Sequence, residues 1–248
     1  MQTQYYFVHL PKCAGTSVLK SLGRMGKRRL MIVSKFPQSK RAAQEGLNQL
    51  LDDRRLSIDD PDLIFGHDVF YGIHQHSNRP LAYATVMRDP VQRWISQYRY
   101  TVDCSHDKNS PIYDYAQSTV VDSGQILSME QCAHEGHWTN MMTNYLAAAI
   151  DPNLSSARWG IQSNDQLKQM AFEFVDKMDF IGFVDTIEED EATIAGWFGL
   201  RPKLKVANSS KTKVADEISD QTMESIRQIN ALDQAIYDRA KARRISDL

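Results

Sequence analysis

The residues whose types and spacing point most directly to chemistry lie near the N-terminus, in the segment 9–17 (HLPKCAGTS). The segment follows a short apolar and aromatic run, residues 5–8, and precedes a stretch compatible with a helix. A strand, a loop of small residues and a helix start direct backbone N–H groups and the helix N-terminus towards an anion. Lys12 adds a positive charge, and Thr16 and Ser17 add hydroxyl donors. The segment therefore predicts a phosphate-binding loop; the structural alternative is a tight strand-to-helix turn with a surface lysine.

The position of the lysine indicates which kind of phosphate ligand suits this loop. In the loop of nucleoside triphosphatases, G-x-x-x-x-G-K-[ST], the lysine directly precedes the hydroxyl residue and reaches the β- and γ-phosphates. Here Gly15 occupies that place, Lys12 lies at the start of the loop beside Pro11, and the first glycine of the pattern is missing. The loop therefore favours a ligand with a single 5′-phosphate that carries one transferable group.

Length and charge set limits on the class of protein. The 248 residues suffice for one large α/β domain, and we expect a single domain over residues 1–248. With 29 basic and 31 acidic residues, no global field favours nucleic acid or an anionic membrane, so an anion site must be local. No apolar run approaches the ~20 residues of a membrane-spanning helix. The N-terminus enters a predicted strand without the pattern of a signal peptide, so we expect a cytoplasmic protein of bacterial origin.

Cysteines and histidines give little reason to expect a metal. Cys13, Cys104 and Cys132 have neither metal-ligand spacing nor an even count, which indicates reduced thiols. Cys13 lies in the loop, but its neighbours in sequence supply no base, which disfavours a role as nucleophile. His74 and His76 follow His67 without the cysteine or carboxylate spacing that would complete a site, so no metal is expected.

Short apolar runs alternate with helical patterns along the chain. The predicted strands are 4–9, 29–33, 63–65, 81–87 and 180–183. The predicted helices are 17–23, 39–51, 90–102, 139–149, 165–178, 188–198 and 219–243, with Asn164 and Ser219 as candidate N-caps. This alternation predicts an α/β fold with a P-loop-like central parallel sheet, flanked by helices on both faces. The polar region 103–138 predicts a helical or loop insertion, and the basic segment 202–214 an exposed loop.

Three predicted strands end directly in residues capable of chemistry. Lys12 follows the first, His67 follows strand 63–65, and Arg88 follows strand 81–87. In open parallel sheets, ligands bind at the carboxyl ends of the strands, so we expect these three side chains at one edge. Taken alone, His67 would be a structural or surface residue; its expected place opposite the loop makes it a candidate functional residue.

The segment 88–96 predicts a second anion contact. Pro90 suits a first helical turn and Asp89 a helix cap. Arg88 and Ser96 are about two turns apart, so both can face one side and bind a second phosphate. The alternative for Arg88 is a salt bridge to Asp89 or to another acid.

The remaining large side chains of this helix have structural interpretations. We expect Trp94 and Tyr98, four residues apart, to pack in the core. We expect Arg93 and Arg99 to be solvated or paired surface groups.

Together these segments resemble the PAPS-dependent sulfotransferases, in particular the carbohydrate branch with the heparan sulfate 2-O-, uronyl 2-O- and chondroitin sulfotransferases. Residues 11–17 resemble the 5′-phosphosulfate loop of that family, and 65–68 resemble its Gly-His base motif. Residues 86–90, with Arg93, Trp94 and Ser96, resemble its 3′-phosphate motif. Weaker similarities at 140–147, 180–184 and 230–237 extend the resemblance over nearly the whole chain. Two departures are the absence of the membrane anchor of Golgi members and the unmatched region 103–138.

The resemblance implies transfer of a sulfuryl group from 3′-phosphoadenosine-5′-phosphosulfate (PAPS) to an acceptor hydroxyl, in line, without an obligatory metal. It implies a glycan as acceptor, whereas the residues themselves leave a lipid, a small molecule or a protein tyrosine open. His67 is then the general base and Lys12 neutralises charge on the departing phosphate. The implied donor-binding residues are Lys12, Cys13, Ala14, Gly15, Thr16, Ser17, Arg88 and Ser96. Ser210, Lys211 and Thr212 are further candidates, because the position and basic character of their loop suit closure over the donor or the acceptor.

Two other functions remain open at this stage. A P-loop kinase or NTPase could use Asp68 as the Mg²⁺-ligating acid, although its Gly-Lys-[ST] element is absent. A non-catalytic nucleotide-binding protein would bind 3′-phosphoadenosine 5′-phosphate (PAP) without transferring any group. The sequence does not indicate the oligomeric state.

Overall fold

Strand β1 (Gln4–Val8) lies at the centre of a parallel sheet, with β3 (Leu63–Gly66) on one side and β4 (Leu81–Met87) on the other. Beyond them lie β2 (Leu30–Ile32) and β7 (Phe180–Phe183), giving the order β2-β3-β1-β4-β7. The computed structural model describes residues 2–26, 29–32, 58–151, 163–203 and 218–246. All four pairings of this sheet are parallel, as the sequence predicts.

The described helices are α1 (Gly15–Leu22), α2 (Pro90–Ser105), α3 (Tyr113–Val120), α4 (Met129–His134), α5 (Met141–Ile150), α6 (Asn164–Lys177), α7 (Ile187–Trp197), α8 (Asp220–Ile229) and α9 (Ala231–Ser246). Short 3-10 turns occur at Gly23–Met25, Ile73–His76 and Val184–Thr186. The predicted helix 39–51 lies outside the described residues. None of the described helices combines the length and apolarity needed to cross a bilayer.

Alternating side chains of the sheet enter two separate cores. Tyr6 and Val8 pack with residues of α5, α6 and α9 on one face, whereas Phe7 packs with residues of α1 and α7 on the other. Strands covered on both faces need apolar side chains at nearly every position, which explains the uninterrupted apolar runs in the sequence. The predicted α/β fold with helices on both faces is therefore confirmed.

A third core cluster lies beside the sheet, between α2, α3, α4 and α8. Trp94 and Tyr98 are both buried in it, with ring centroids 6.1 Å apart, as expected. Part of the region 103–138 builds this cluster through α3 and α4. The region also contains an antiparallel hairpin, β5 (Val121–Asp122) and β6 (Gln125–Ile126), which the sequence analysis missed. The hairpin turns through Ser123 and Gly124, both of which have positive φ.

Four local expectations can be compared with the structure. Asp89 and Ser219 cap α2 and α8, as predicted. The prediction of Asn164 as a cap was wrong, because the cap is Ser163: its hydroxyl accepts from the Gln166 amide, and the Gln166 side-chain oxygen accepts from the Ser163 amide. The prediction of one helix over 219–243 was also wrong, because α8 ends at the buried Asn230 and a second helix, α9, begins at the next residue.

Asn230 ends α8 because its side chain is engaged by other parts of the chain. Its Nδ2 donates to the Ile226 carbonyl, and its Oδ1 accepts from the backbone amide of Asn140. Side-chain bonds of this kind compete with regular helical bonding and are found at helix ends. The break directs α9 so that Asp233 reaches the first turn of α5.

Arg93 is fully buried, so its expected place at the surface was wrong. Its Nε lies 3.7 Å from an oxygen of Asp233, which is also fully buried, and its Nη2 donates to the Trp138 carbonyl. Asp233 in turn accepts from the amides of Met142 and Thr143. A buried charge is tolerated only when it is paired and hydrogen-bonded, and this network supplies both. It joins α2, α5 and α9, and so fixes the start of α5 beside the sheet.

Candidate functional site

The carboxyl ends of β1, β3 and β4 bring together Lys12, His67 and Arg88. The β1 register places Val8 beside Gly66 of β3 and beside Thr85 of β4, so the residues that follow these strands are neighbours. An Nη1 of Arg88 donates to the backbone carbonyl of Lys12 at 3.4 Å. On the other side of β1, the ring of His67 stacks on that of His9, with centroids 4.0 Å apart.

The loop after β1 has the backbone of an anion-binding turn. Lys12 and Ala14 both have left-handed φ angles, 64° and 57°, and Ala14 is the N-cap residue of α1. The amides of Ser17 and Val18 bond to the Ala14 carbonyl. The earlier amides of the first turn, at Gly15 and Thr16, lie outside intrahelical bonding and can bind an anion.

Gly15 is required by a close contact and not by its φ angle. A Cβ atom at this position would lie 1.9 Å from Cδ2 of His9, well inside any allowed separation. The His9 ring therefore covers the first turn of α1, and any larger residue at position 15 would displace it.

Lys12 is half-buried and close to a second cation. Its Nζ lies 3.9 Å from the centroid of the Tyr100 ring. Burial, with the positive charge of Arg88 as the next cause, lowers the pKa of Lys12 to about 8. Within the described ranges neither Lys12 nor Arg88 forms an ion pair with a carboxylate, so the alternative of an Arg88–Asp89 salt bridge was wrong. Asp103 acts on Lys12 only as a smaller cause that raises its pKa, so two adjacent cations without an ion pair in the described ranges can still bind an anion.

His67 has a defined tautomer. Its Nδ1 lies 2.6 Å from the backbone carbonyl of His9. Because a carbonyl oxygen only accepts, Nδ1 must carry the hydrogen, and the lone pair of the neutral ring is on Nε2. The ring also meets Tyr145 edge-on, with centroids 6.0 Å apart. His67 can therefore accept a proton at Nε2.

His9 is a site residue that the sequence analysis did not identify. Burial, followed by the charges of His67 and Lys12, lowers the pKa of His9 to about 3, so its ring is neutral. Its carbonyl orients His67, and its ring packs over Gly15. The sequence offered one signal for this role: a histidine ring directly after β1, with a glycine six residues later that leaves space for it.

The other predicted residues of the loop after β1 differ in their exposure to solvent. Cys13 is fully buried, and burial raises its pKa to about 12, which makes it an unreactive thiol. The side chain of Thr16 is exposed and that of Ser17 is buried. The three cysteines are unpaired, as expected.

The predicted second-phosphate residues are only partly brought together. Arg88 lies at the loop, whereas Ser96 is half-buried on α2 and makes no hydrogen bond to Arg88 in the described part of the chain. Ser210, Lys211 and Thr212 lie outside the described residues. Among those described, no group of three histidine, cysteine or acidic side chains has the arrangement of a metal site.

The pKa of Lys12 predicts that anion binding depends on pH. The amine is charged below pH 8 and neutral above it, so affinity for sulfate should be constant below pH 8 and fall by about tenfold per unit at higher pH. Sulfate keeps its own charge over this range. Calorimetric titration between pH 6.5 and 9.5 measures the effect, and Lys12→Arg, which stays charged, should remove the decline. A wild-type affinity that is flat through pH 9.5 would contradict the assignment.

Two solved structures are similar to this chain. A sulfotransferase from Alicyclobacillus acidocaldarius is 12% identical, with a TM-score of 0.47, over 98% of this chain and 95% of that one. The mouse sulfotransferase SULT7A1 complexed with PAP is 10% identical, with a TM-score of 0.36, over 92% of this chain and 63% of that one. No curated protein sequence matches the chain.

A family model gives the decisive comparison. The model described as the sulfotransferase family matches residues 3–245, from the start of β1 to the end of α9. The match includes the loop after β1 and the ends of β3 and β4, where the site residues lie. This chain belongs to the sulfotransferase family.

Proposed function

We propose that this sulfotransferase moves the sulfuryl group of PAPS to the hydroxyl group of a carbohydrate. The observation that carries the proposal is the convergence of two cations and one oriented imidazole at the ends of three adjacent strands. Membership of the family supports sulfuryl transfer, and the similarity of residues 65–68 to the base motif of the 2-O-sulfotransferases supports the carbohydrate acceptor.

The loop after β1 serves the leaving group. The acceptor oxygen attacks sulfur, the bond from sulfur to the bridging phosphate oxygen breaks, and PAP departs with the electron pair. Negative charge therefore grows on the 5′-phosphate, where Lys12 and the amides of Gly15 and Thr16 can stabilise it. Because these groups are held by the backbone of the loop, little reorganisation is needed during the reaction.

Arg88 and Ser96 serve the second phosphate in this proposal. A guanidinium binds a phosphate with paired hydrogen bonds, and Arg88 forms no described ion pair that would compete. Ser96 lies on α2, which begins two residues after Arg88, and supplies a hydroxyl donor. A 3′-phosphate contact would distinguish PAPS from ordinary adenine nucleotides. The loop with Ser210, Lys211 and Thr212 is proposed to cover the donor or the acceptor.

His67 serves the acceptor. Its Nε2 takes the proton that the acceptor hydroxyl loses as it attacks sulfur, while Nδ1–H remains bonded to the His9 carbonyl. The neutral His9 ring adds no positive charge next to the imidazolium that forms. Three unpaired cysteines suit a reducing compartment, and we propose a cytoplasmic location.

The donor assignment predicts selective binding of PAP. PAP should raise the melting temperature of the protein by mass action, and ATP, ADP and AMP should raise it less, with or without Mg²⁺. Arg88→Ala should weaken PAP binding by about 1.5–3 kcal/mol, the scale of a charged hydrogen bond. Thermal-shift titration measures both effects. Selectivity for ATP with Mg²⁺ would favour the NTPase alternative, and unchanged PAP affinity in Arg88→Ala would remove this residue from the site.

The base assignment predicts a loss of turnover without a loss of donor affinity. His67→Ala should lower kcat by roughly 10²–10⁴ and leave PAP affinity unchanged. His76→Ala, which removes an exposed histidine nine residues further along, is the control and should be active. Single-turnover rates with radiolabelled PAPS measure the step. If His67→Ala turned over at nearly the wild-type rate, the base would have to be another group.

A further inference from the structure

Tyr100 is an exposed aromatic residue of α2 that contacts the lysine of the loop after β1. The Nζ atom of Lys12 lies 3.9 Å from the centroid of its ring, and Tyr100 is 37% exposed. A cation over the face of an aromatic ring is attracted by the negative potential of that face. The contact therefore stabilises the charged form of the Lys12 amine.

The other surroundings of Lys12 mainly oppose its charge. Burial is the largest cause that lowers the pKa of this amine, and the positive charge of Arg88 is the next. Cys104, Asp103 and Cys13 act in the opposite direction and are smaller causes. Since no carboxylate in the described ranges forms an ion pair with Lys12, the aromatic ring on α2 is a favourable partner in direct contact with the amine.

The ring is oriented before any ligand binds. Helix α2 is anchored beside the sheet by the buried Arg93 and Trp94, whose side chains donate to two backbone carbonyls of the segment before α5. The Tyr100 hydroxyl shares a hydrogen bond with the side chain of Cys104, about one helical turn later. The ring therefore meets Lys12 in a position that other contacts of the helix determine.

An aromatic ring suits this position better than an acidic side chain would. A carboxylate beside Lys12 would also stabilise the charged amine, but it would compete with the anion that the loop binds. A ring face stabilises the cation without neutralising it. An ammonium has three N–H donors, so a phosphate oxygen can bind on the side of Nζ that faces away from the ring. The contact with Tyr100 is therefore compatible with phosphate binding by Lys12.

We propose that Tyr100 is a positioning residue for sulfuryl transfer: its ring keeps the Lys12 amine charged and holds it beside the loop for the departing phosphate. The inference rests on the proposed function, in which Lys12 stabilises the charge that grows on that phosphate. Without the ring, the amine would lose its proton at lower pH. A smaller fraction of the protein would then carry the charge that transfer requires.

Three other titratable groups near Lys12 are neutral between pH 6 and 10. Burial is the largest cause that raises the pKa of Tyr100 and of Cys13 to about 12, and burial lowers the pKa of His9 to about 3. A phenolate at position 100 therefore does not form in this range, and Tyr100 acts on the amine as a neutral ring. Asp103 and Cys104, on the same face of α2, are retained in every variant of the test below.

The test measures the protonation of Lys12 directly and then its effect on turnover. Carbon-13 NMR of the lysine Cε atoms follows the titration of each amine between pH 6 and 10, and Lys12→Arg identifies the Lys12 signal by its loss. Tyr100→Leu removes the ring and keeps an apolar side chain, whereas Tyr100→Phe keeps the ring and removes only the hydroxyl. Tyr71→Leu is the matched control, because Tyr71 is 36% exposed and its ring lies 4.7 Å from Nζ of Lys177, outside the site.

Tyr100→Leu should lower the pKa of Lys12 by about one pH unit, the size expected for a cation–π contact at a half-buried site. Tyr100→Phe and Tyr71→Leu should leave that pKa within about 0.3 of the wild-type value. Single-turnover rates with radiolabelled PAPS should fall in Tyr100→Leu by less than about twofold at pH 6.5 and by about tenfold at pH 9, because the charged fraction of Lys12 sets the rate.

A Lys12 pKa in Tyr100→Leu equal to that of the wild type would overturn the proposal. An equal decrease in Tyr100→Phe would overturn it too, because the effect would then belong to the hydroxyl. A rate deficit of the same size at pH 6.5 and pH 9 would indicate a merely structural role and would also contradict it. Absence of any transfer from PAPS would instead overturn the proposed function, and the NMR titration, which needs no donor, would still decide whether Tyr100 acts on Lys12.

Discussion

The arrangement of the site depends on the parallel pairing of β1 with both of its neighbours. Because β3 and β4 run in the same direction as β1, the chain leaves all three strands at the same edge of the sheet. Lys12, His67 and Arg88 are far apart in sequence and reach one place only through these pairings. A shift of one residue in either register would turn buried side chains towards the wrong core and would also move a site residue out of position.

At this edge of the sheet, His9 contacts both the loop after β1 and His67. Its ring packs so closely on Gly15 that no side chain fits there, and its carbonyl fixes which nitrogen of His67 is protonated. The same residue thus connects the loop after β1 to the proposed base. The loop acts through backbone amides and a partly buried Lys12, so its electrostatic effect is prepared before a ligand binds.

The sequence was sufficient for the features that depend on local patterns, which include the five strands, the cap at Asp89 and the three strand-end residues. It was insufficient where partners are distant in sequence. Arg93 was expected at the surface because charged side chains are mostly exposed, yet its partner Asp233 is 140 positions away. Helix 219–243 breaks at Asn230 for the same reason, since the bonds that end α8 come partly from the start of α5. The contribution of His9 depends on how its ring packs on Gly15 and His67, which its position after the strand indicates only weakly.

The central claim is that the ends of β1, β3 and β4 form one binding site for a doubly phosphorylated adenosine, with a base beside it. A crystal structure of the protein with PAP tests this claim most directly. The account predicts the 5′-phosphate within about 3.2 Å of Lys12 Nζ and of the amides of Gly15 and Thr16, and the 3′-phosphate beside Arg88. PAP bound elsewhere on the sheet, or bound with neither phosphate near these residues, would contradict it.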